Sequence, residues 1–158
     1  MAQADTYLAA YEPLFQPLVI KGVTIKNRFL STSHAPAYAE KGKITPRYIR
    51  YHEEKAKGGI AMTMFGGSTL VAPDSPPVFG NLYAGNDKII PHFQEMADGV
   101  HKHGAALMCQ ITHLGRRSVS NAGDWLPIIA PSCVREEMHR GFQKIMEDSD
   151  IRRIVKAY

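Results

Sequence analysis

Leu107-Met-Cys-Gln-Ile-Thr-His-Leu-Gly-Arg116 is the stretch that decides how this chain is read. It begins as an apolar run, long enough for one buried strand, shortly after the helix-stopping Gly104. It then turns polar within a few residues. The amide of Gln110, the imidazole of His113 and the guanidinium of Arg116 gather around Gly115, where such a strand would end. In a parallel α/β barrel, ligand chemistry sits at the C-terminal ends of the strands. An amide there donates and accepts at once, which suits the paired edge of a flavin or a nucleobase. Taken alone, the run fits equally well a loop in which Gln110 and His113 only satisfy backbone groups.

Working outward, the flanking sequence alternates between strand and helix signals. Leu18–Lys26 reads as a small hairpin turning at Lys21-Gly22. Phe29–Thr32 reads as a strand that leads into Ser33-His34-Ala35-Pro36, where the proline stops it. Thr45 then caps a helix over Pro46–Lys57, with proline at the first helical position and Gly58-Gly59 at the end. Ile60–Phe65 is a buried strand closed by Gly66-Gly67, and the loop bearing Pro73, Pro76 and Pro77 is placed on the surface. Ile89, Phe93, Met96, Ala97 and Val100 recur at three and four, predicting a helix over Lys88–His103 with Asn86 or Asp87 as its cap. The strand at Ala106–Ile111 follows. An irregular section through Asp124-Trp125, Pro127 and Pro131 leads to a last helix starting at Ser149-Asp150. This order predicts a parallel sheet. Three parallel strands leave two open edges, so the chain is expected to be the first part of a longer protein.

Composition narrows the function. The 158 residues are 44% hydrophobic and 22% charged, ordinary for a globular protein. The net charge of +4 is mild, and the basic residues cluster only in pairs such as Arg116-Arg117 and Arg152-Arg153, which argues against nucleic acid. No apolar run reaches membrane-span length, and the N-terminus with Asp5 lacks a signal pattern, so no membrane partner is expected and cytoplasm is the default location. Cys109 and Cys133 have neither disulfide density nor metal spacing, and no histidine pair stands with a third ligand. No metal site is expected. Glu53-Glu54 and Glu136-Glu137 read as solvated charge, and His101 and His103 as surface histidines.

From Leu14 to Arg116 the chain resembles the N-terminal part of the NADH:flavin oxidoreductase family, the old yellow enzyme superfamily. Four motifs carry the resemblance: Leu14-Phe-x-Pro17 with Lys26-Asn27-Arg28-Phe29; Ser31-Thr-Ser-His34 with Tyr48 and Tyr51-His52; Gly58-Gly59 with Gly66-Gly67; and Gln110-x-x-His113-x-Gly115-Arg116. It looks nearest the multidomain branch of dienoyl-CoA reductases, trimethylamine dehydrogenases and N-methyl amino-acid demethylases. The resemblance implies that residues 1–158 supply about three of eight βα units of a (β/α)8 TIM barrel of about 250 residues, with a hairpin closing its bottom.

It implies FMN as cofactor as well. Gln110 matches the glutamine that bonds the pyrimidine edge of the ring. Ser31, Thr32, Ser33 and His34 match the first strand end under the flavin, and Gly66, Gly67 and Ser68 the second, where small residues let backbone come close. His34, His113 and Arg116 are the substrate-side candidates. Ala35 stands where the amine-dehydrogenase relatives carry a cysteine bonded to the flavin, so any FMN here is expected to be non-covalent. The family's proton donor falls beyond Tyr158, as would any iron–sulfur cluster or FAD.

The expected activity is hydride transfer between the flavin and an activated alkene or an N-methylated amine. NAD(P)H is the expected reductant, and the complete enzyme is expected to be a homo-oligomer. The competing reading is a non-catalytic barrel portion completed by a second polypeptide. An aldolase-like or phosphate-ester barrel would need a Schiff-base lysine or clustered carboxylates at the strand ends, and neither is present.

Overall fold

The computed structural model describes residues 2–118, 126–138 and 140–158. A hairpin of β1 (Leu18–Ile20) and β2 (Val23–Ile25) forms where the sequence predicts it. Its two turn residues, Lys21 and Gly22, both have positive φ, at 45° and 85°. That is the backbone of a two-residue turn whose twist matches antiparallel strands. Ahead of the hairpin stands α1 (Ala2–Phe15), which the sequence reading did not anticipate. Helix-forming alanines carry it rather than a periodic apolar face, so it leaves little amphipathic signal.

The main sheet has three parallel strands: β3 (Leu30–Ser31), β4 (Met62–Leu70) and β5 (Ala106–Thr112), in that order. Leu30 pairs with Met62, which pairs with Ala106. Between the strands run α2 (Pro46–Lys57) and α3 (Ile90–His101). Helix α2 keeps its predicted bounds. The Thr45 hydroxyl accepts from Tyr48 N at 3.3 Å and donates to Tyr38 O at 2.6 Å, anchoring the cap to the preceding loop. Helix α3 starts later than predicted, because Asp87–Ile89 forms a separate 3₁₀ turn capped by Asn86.

The two faces of the sheet differ. One packs on the helices: Phe65 joins Tyr48, Ile49, Leu82, Ile89 and Met96 in the core, with Leu107 and Cys109 against it. Burying an aromatic or aliphatic side chain of this size stabilises by about 1.5–3 kcal/mol. By the alternation of strand side chains, Leu30, Met62, Met64, Ala106, Met108 and Gln110 belong to the other face. Leu30 and Met108 remain 51% and 45% exposed there. Among the described residues no strand pairs with the outer edge of β3 or β5.

The hairpin sits at the N-terminal end of the sheet. Lys26 Nζ donates to His103 O at 2.7 Å, just past the C-terminus of α3, where a cation also meets the helix dipole favourably. Asn27 Nδ2 donates to Gly59 O at 2.8 Å, just past α2. The Lys26-Asn27 pair is therefore a clasp between the hairpin and two helix ends.

Several expectations need correction. The second strand does not stop at Gly66-Gly67 but runs on to Leu70, and the third runs to Thr112. The proline-rich stretch is not a plain surface loop, since Val71, Ala72, Asp74, Ser75, Asn81 and Leu82 are buried. The irregular section lies partly outside the described residues, at Asp124-Trp125. Its remainder contains β6 (Ile129–Ala130), paired in parallel with β7 (Lys144–Ile145). The last helix is α4 (Asp148–Ala157), with Glu147 and Asp150 forming a reciprocal cap. Glu53 pairs with Lys102 and lies 3.7 Å from His103, while the 3% exposed Glu136 carboxylate takes a 2.8 Å bond from Arg117. Neither is freely solvated charge.

Candidate functional site

The C-terminal end of the sheet is shaped by an irregularity in β4. Phe65 pairs with Cys109 and Thr69 with Ile111, so Gly66, Gly67 and Ser68 together face the single residue Gln110. All three have positive φ, at 102°, 50° and 109°. For Ser68 this is a strained conformation, of the kind that persists where neighbours over-determine it.

Three side chains from different elements hold this bulge. The Tyr48 hydroxyl accepts from Gly66 N at 3.1 Å. Ser33 Oγ accepts from Gly67 N at 2.6 Å and donates to Phe65 O at 3.2 Å. Thr69 Oγ1 accepts from Cys109 Sγ at 3.6 Å. Burial pushes the Tyr48 phenol up to about 12, partly offset by its bond to Gly66. It stays a neutral hydroxyl at any working pH.

The glycines are required by the chain itself. A Cβ on Gly66 would lie 2.5 Å from Thr69 Oγ1 and 2.6 Å from Gln110 O. On Gly67 it would collide with the His34 carbonyl and the Ala35 nitrogen. These two residues let three strand ends close on one another.

The other predicted residues are distributed around this point. The Ser31 hydroxyl takes a 2.8 Å bond from Lys55 Nζ and so turns toward α2. Thr32 is exposed beyond it. His34 is exposed, with Nε2 2.8 Å from the Tyr51 hydroxyl and its ring edge-on to that tyrosine. Gln110 is exposed, and its amide has no partner among the described residues.

His113 is held on both sides. Its Nε2 lies 3.2 Å from Asp74 Oδ1, and its Nδ1 accepts from Gly115 N at 3.0 Å. Arg116 is exposed in the short 3₁₀ turn at Gly115–Arg117, without a partner among the described residues.

Sequence reasoning missed Asp74. Its carboxylate is 5% exposed and receives Arg153 from α4 through two bonds, at 3.0 and 2.7 Å, besides His113. Burial raises its pKa, but the bonds from Arg153 and His113 outweigh burial and hold it below the usual carboxylate range. An aspartate between prolines in a loop carries no local mark of this, since Arg153 stands 79 residues away.

Residues 13–158 match the NADH:flavin oxidoreductase / NADH oxidase family. The chain belongs to that family. Among its sequence relatives is a probable N-methylproline demethylase of Rhizobium meliloti, 52% identical over 93% of this chain. Another is a multifunctional alkene reductase/demethylase of Caballeronia cordobensis, 49% identical over 95%. The chain spans 22% of the length of each of these two. Among solved structures, a 2-naphthoyl-CoA reductase superposes with TM-score 0.85 at 20% identity, covering 93% of this chain and 24% of that one. An old yellow enzyme from Pichia superposes at 0.82, covering 92% and 40%. These likenesses bear out the fold: an N-terminal portion of a (β/α)8 barrel with its hairpin.

Family membership implies a flavin, and the strand ends suit one. The Gln110 amide, unpaired among the described residues, offers a donor and an acceptor together. Opposite it stand the small Gly66, Gly67 and Ser68, and beneath it on the same face lie Met64 and Met108.

Proposed function

We propose that this chain provides the FMN-binding strand ends of an oxidoreductase that moves a hydride between the flavin and an activated alkene or an N-methylated amine carbon. The observation that carries the reading is the Gln110 amide, unpartnered among the described residues, at a C-terminal strand end on the open face of the sheet. The relatives' names supply the two substrate classes, since they include both alkene reductases and demethylases. NAD(P)H is the proposed reductant, as relatives named NADH oxidase and NADPH dehydrogenase suggest.

The flavin, when bound, supplies the hydride chemistry; the protein binds and orients it. Gln110 holds the pyrimidine edge. Backbone at Thr32–His34 and Gly66–Ser68 walls the ring, its position fixed by Ser33 and Tyr48. His34 and Arg116 are assigned to the substrate side; His113, expected there too, is buried with both ring nitrogens engaged and serves its own loop instead. Of these only Arg116 has a charged group with no partner among the described residues, which suits it to an anionic substrate group. Further strands pairing with β3 and β5, from the same polypeptide or a second one, complete the enclosure.

Replacing Gln110 with leucine tests the reading. Two hydrogen bonds of about 0.5–1.5 kcal/mol each are lost, so FMN affinity should fall roughly tenfold or more. The reduction potential should fall too, because the amide N–H bonds the reduced, anionic ring more strongly. Unchanged affinity and potential would place the cofactor elsewhere. With alanine at position 35, acid denaturation of the same protein should release all of the flavin; colour retained on the polypeptide would show a covalent bond to another residue.

A further inference from the structure

We propose that Asp74 is a positioning residue that sets the stance of the segment following Gln110, and through it the grip on the flavin; this rests on the reading above. Two loops and a helix meet at this carboxylate. Asp74 follows β4, His113 follows β5, and Arg153 reaches across from α4. The Asp74 and His113 side chains are 4% and 7% exposed, so both are fixed in a protein-like medium rather than in water.

The hydrogen bonds define the histidine's tautomer. Gly115 N donates to Nδ1, so that nitrogen carries a lone pair. The ring hydrogen of neutral His113 is therefore on Nε2, pointing at Asp74 Oδ1. A carboxylate that orients an imidazole in this way locks both its rotation and its tautomer.

The next residue adds a second anchor, as Ser75 Oγ accepts from Leu114 N at 2.8 Å. Asp74 and Ser75 thus pin consecutive residues of the segment that starts three positions after Gln110 and ends at Arg116. The bidentate pair with Arg153 keeps the carboxylate from rotating, because a planar guanidinium accepts only one orientation of its partner. The direction in which β5 delivers the Gln110 amide is set from behind by this knot.

A double-mutant cycle on the flavin-loaded protein separates positioning from general loosening. FMN titration and a redox titration are run on the parent, Asp74→Asn, Gln110→Leu and the double variant. Asp74→Asn alone is expected to weaken FMN binding several-fold and to lower the potential in the same direction as Gln110→Leu. In the Gln110→Leu background, Asp74→Asn should add little, because the group it positions is gone. Asp74→Glu should restore part of the affinity.

If Asp74→Asn does not fold, His113→Gln takes its place in the cycle. It removes the ring while leaving Asp74 paired with Arg153, and the same non-additivity is expected. Fully additive effects, or an unaltered potential in the single variant, would overturn the inference and leave the FMN reading standing. A parent protein that binds no FMN would sink that reading and this inference with it.

Discussion

Gly67→Ala is expected to lose about 3–5 kcal/mol of stability, a large part of the 5–15 kcal/mol that holds a typical domain folded. Two costs combine. The φ of 50° at Gly67 is left-handed, which costs an L-residue about 1–2 kcal/mol. The added methyl then meets the His34 carbonyl and the Ala35 nitrogen. Overpacking usually costs about 1–3 kcal/mol when a side chain can yield. Here the struck atoms are backbone, so the end of β3 must move, and with it the bond from Gly67 N to Ser33.

Gly104→Ala is the control. Its φ is 65°, close to that of Gly67, but its new methyl meets nothing within 4 Å. It should cost only the conformational part, about 1–2 kcal/mol. Chemical denaturation of both variants gives the comparison. Equal losses would mean that the β3 and β4 ends are not in the contact described.

The second large effect is acid sensitivity at His52. This residue is 1% exposed, stacks on Tyr48, and places Nδ1 2.8 Å from Thr63 Oγ1. Its Nε2 is buried without a partner among the described residues. Burial, followed by the nearby Lys55 and His34, lowers its pKa from 6.5 to about 4. The folded protein therefore refuses a proton that the unfolded chain accepts.

The sign follows from linkage. Stability is present in full above pH 6.5, falls as the pH drops from 6.5 toward about 4, and levels off below that. At 1.36 kcal/mol per unit, the loss across the window is about 3 kcal/mol. Asp74 does not confuse the measurement, since its carboxyl is held low and gives up its contribution only in stronger acid. Denaturation midpoints between pH 7 and pH 4.5 should show the decline. His52→Asn, which retains a polar group near Thr63, should flatten it. An equal slope in both proteins would show that His52 does not titrate as described.

Local chemistry was legible in the sequence wherever a signal and its effect lie within one turn of chain. Thr45-Pro46 and Gly58-Gly59 bound α2 correctly because capping involves only the first and last turns. Lys21-Gly22 marked the hairpin for the same reason. The alternation of strands and helices was enough to expect a parallel sheet with Gln110 at a strand end; that the sheet is part of a barrel came from the resemblance. Resemblance then supplied the family, which the match over residues 13–158 bears out.

Tertiary structure decided what depends on partners far along the chain. Gly66-Gly67 looked like the end of a strand, since two glycines break a pattern locally. They are a bulge instead, because Tyr48 on α2 and Ser33 after β3 supply hydrogen bonds for the amides the ladder leaves unpaired. The two-residue strands β6 and β7 have too few residues for any periodicity, and only their mutual pairing defines them. Asp74 and Arg153 meet across 79 residues, and His113 is fixed between Asp74 and its own turn. A residue's type fixes what it can bond, so the sequence by itself determined the hairpin, the main strands and helices, their order and the candidate chemistry. Which bond it makes depends on what folding brings within about 3 Å, and only the structure could say that the strand ends are held from behind by Tyr48, Ser33 and Asp74.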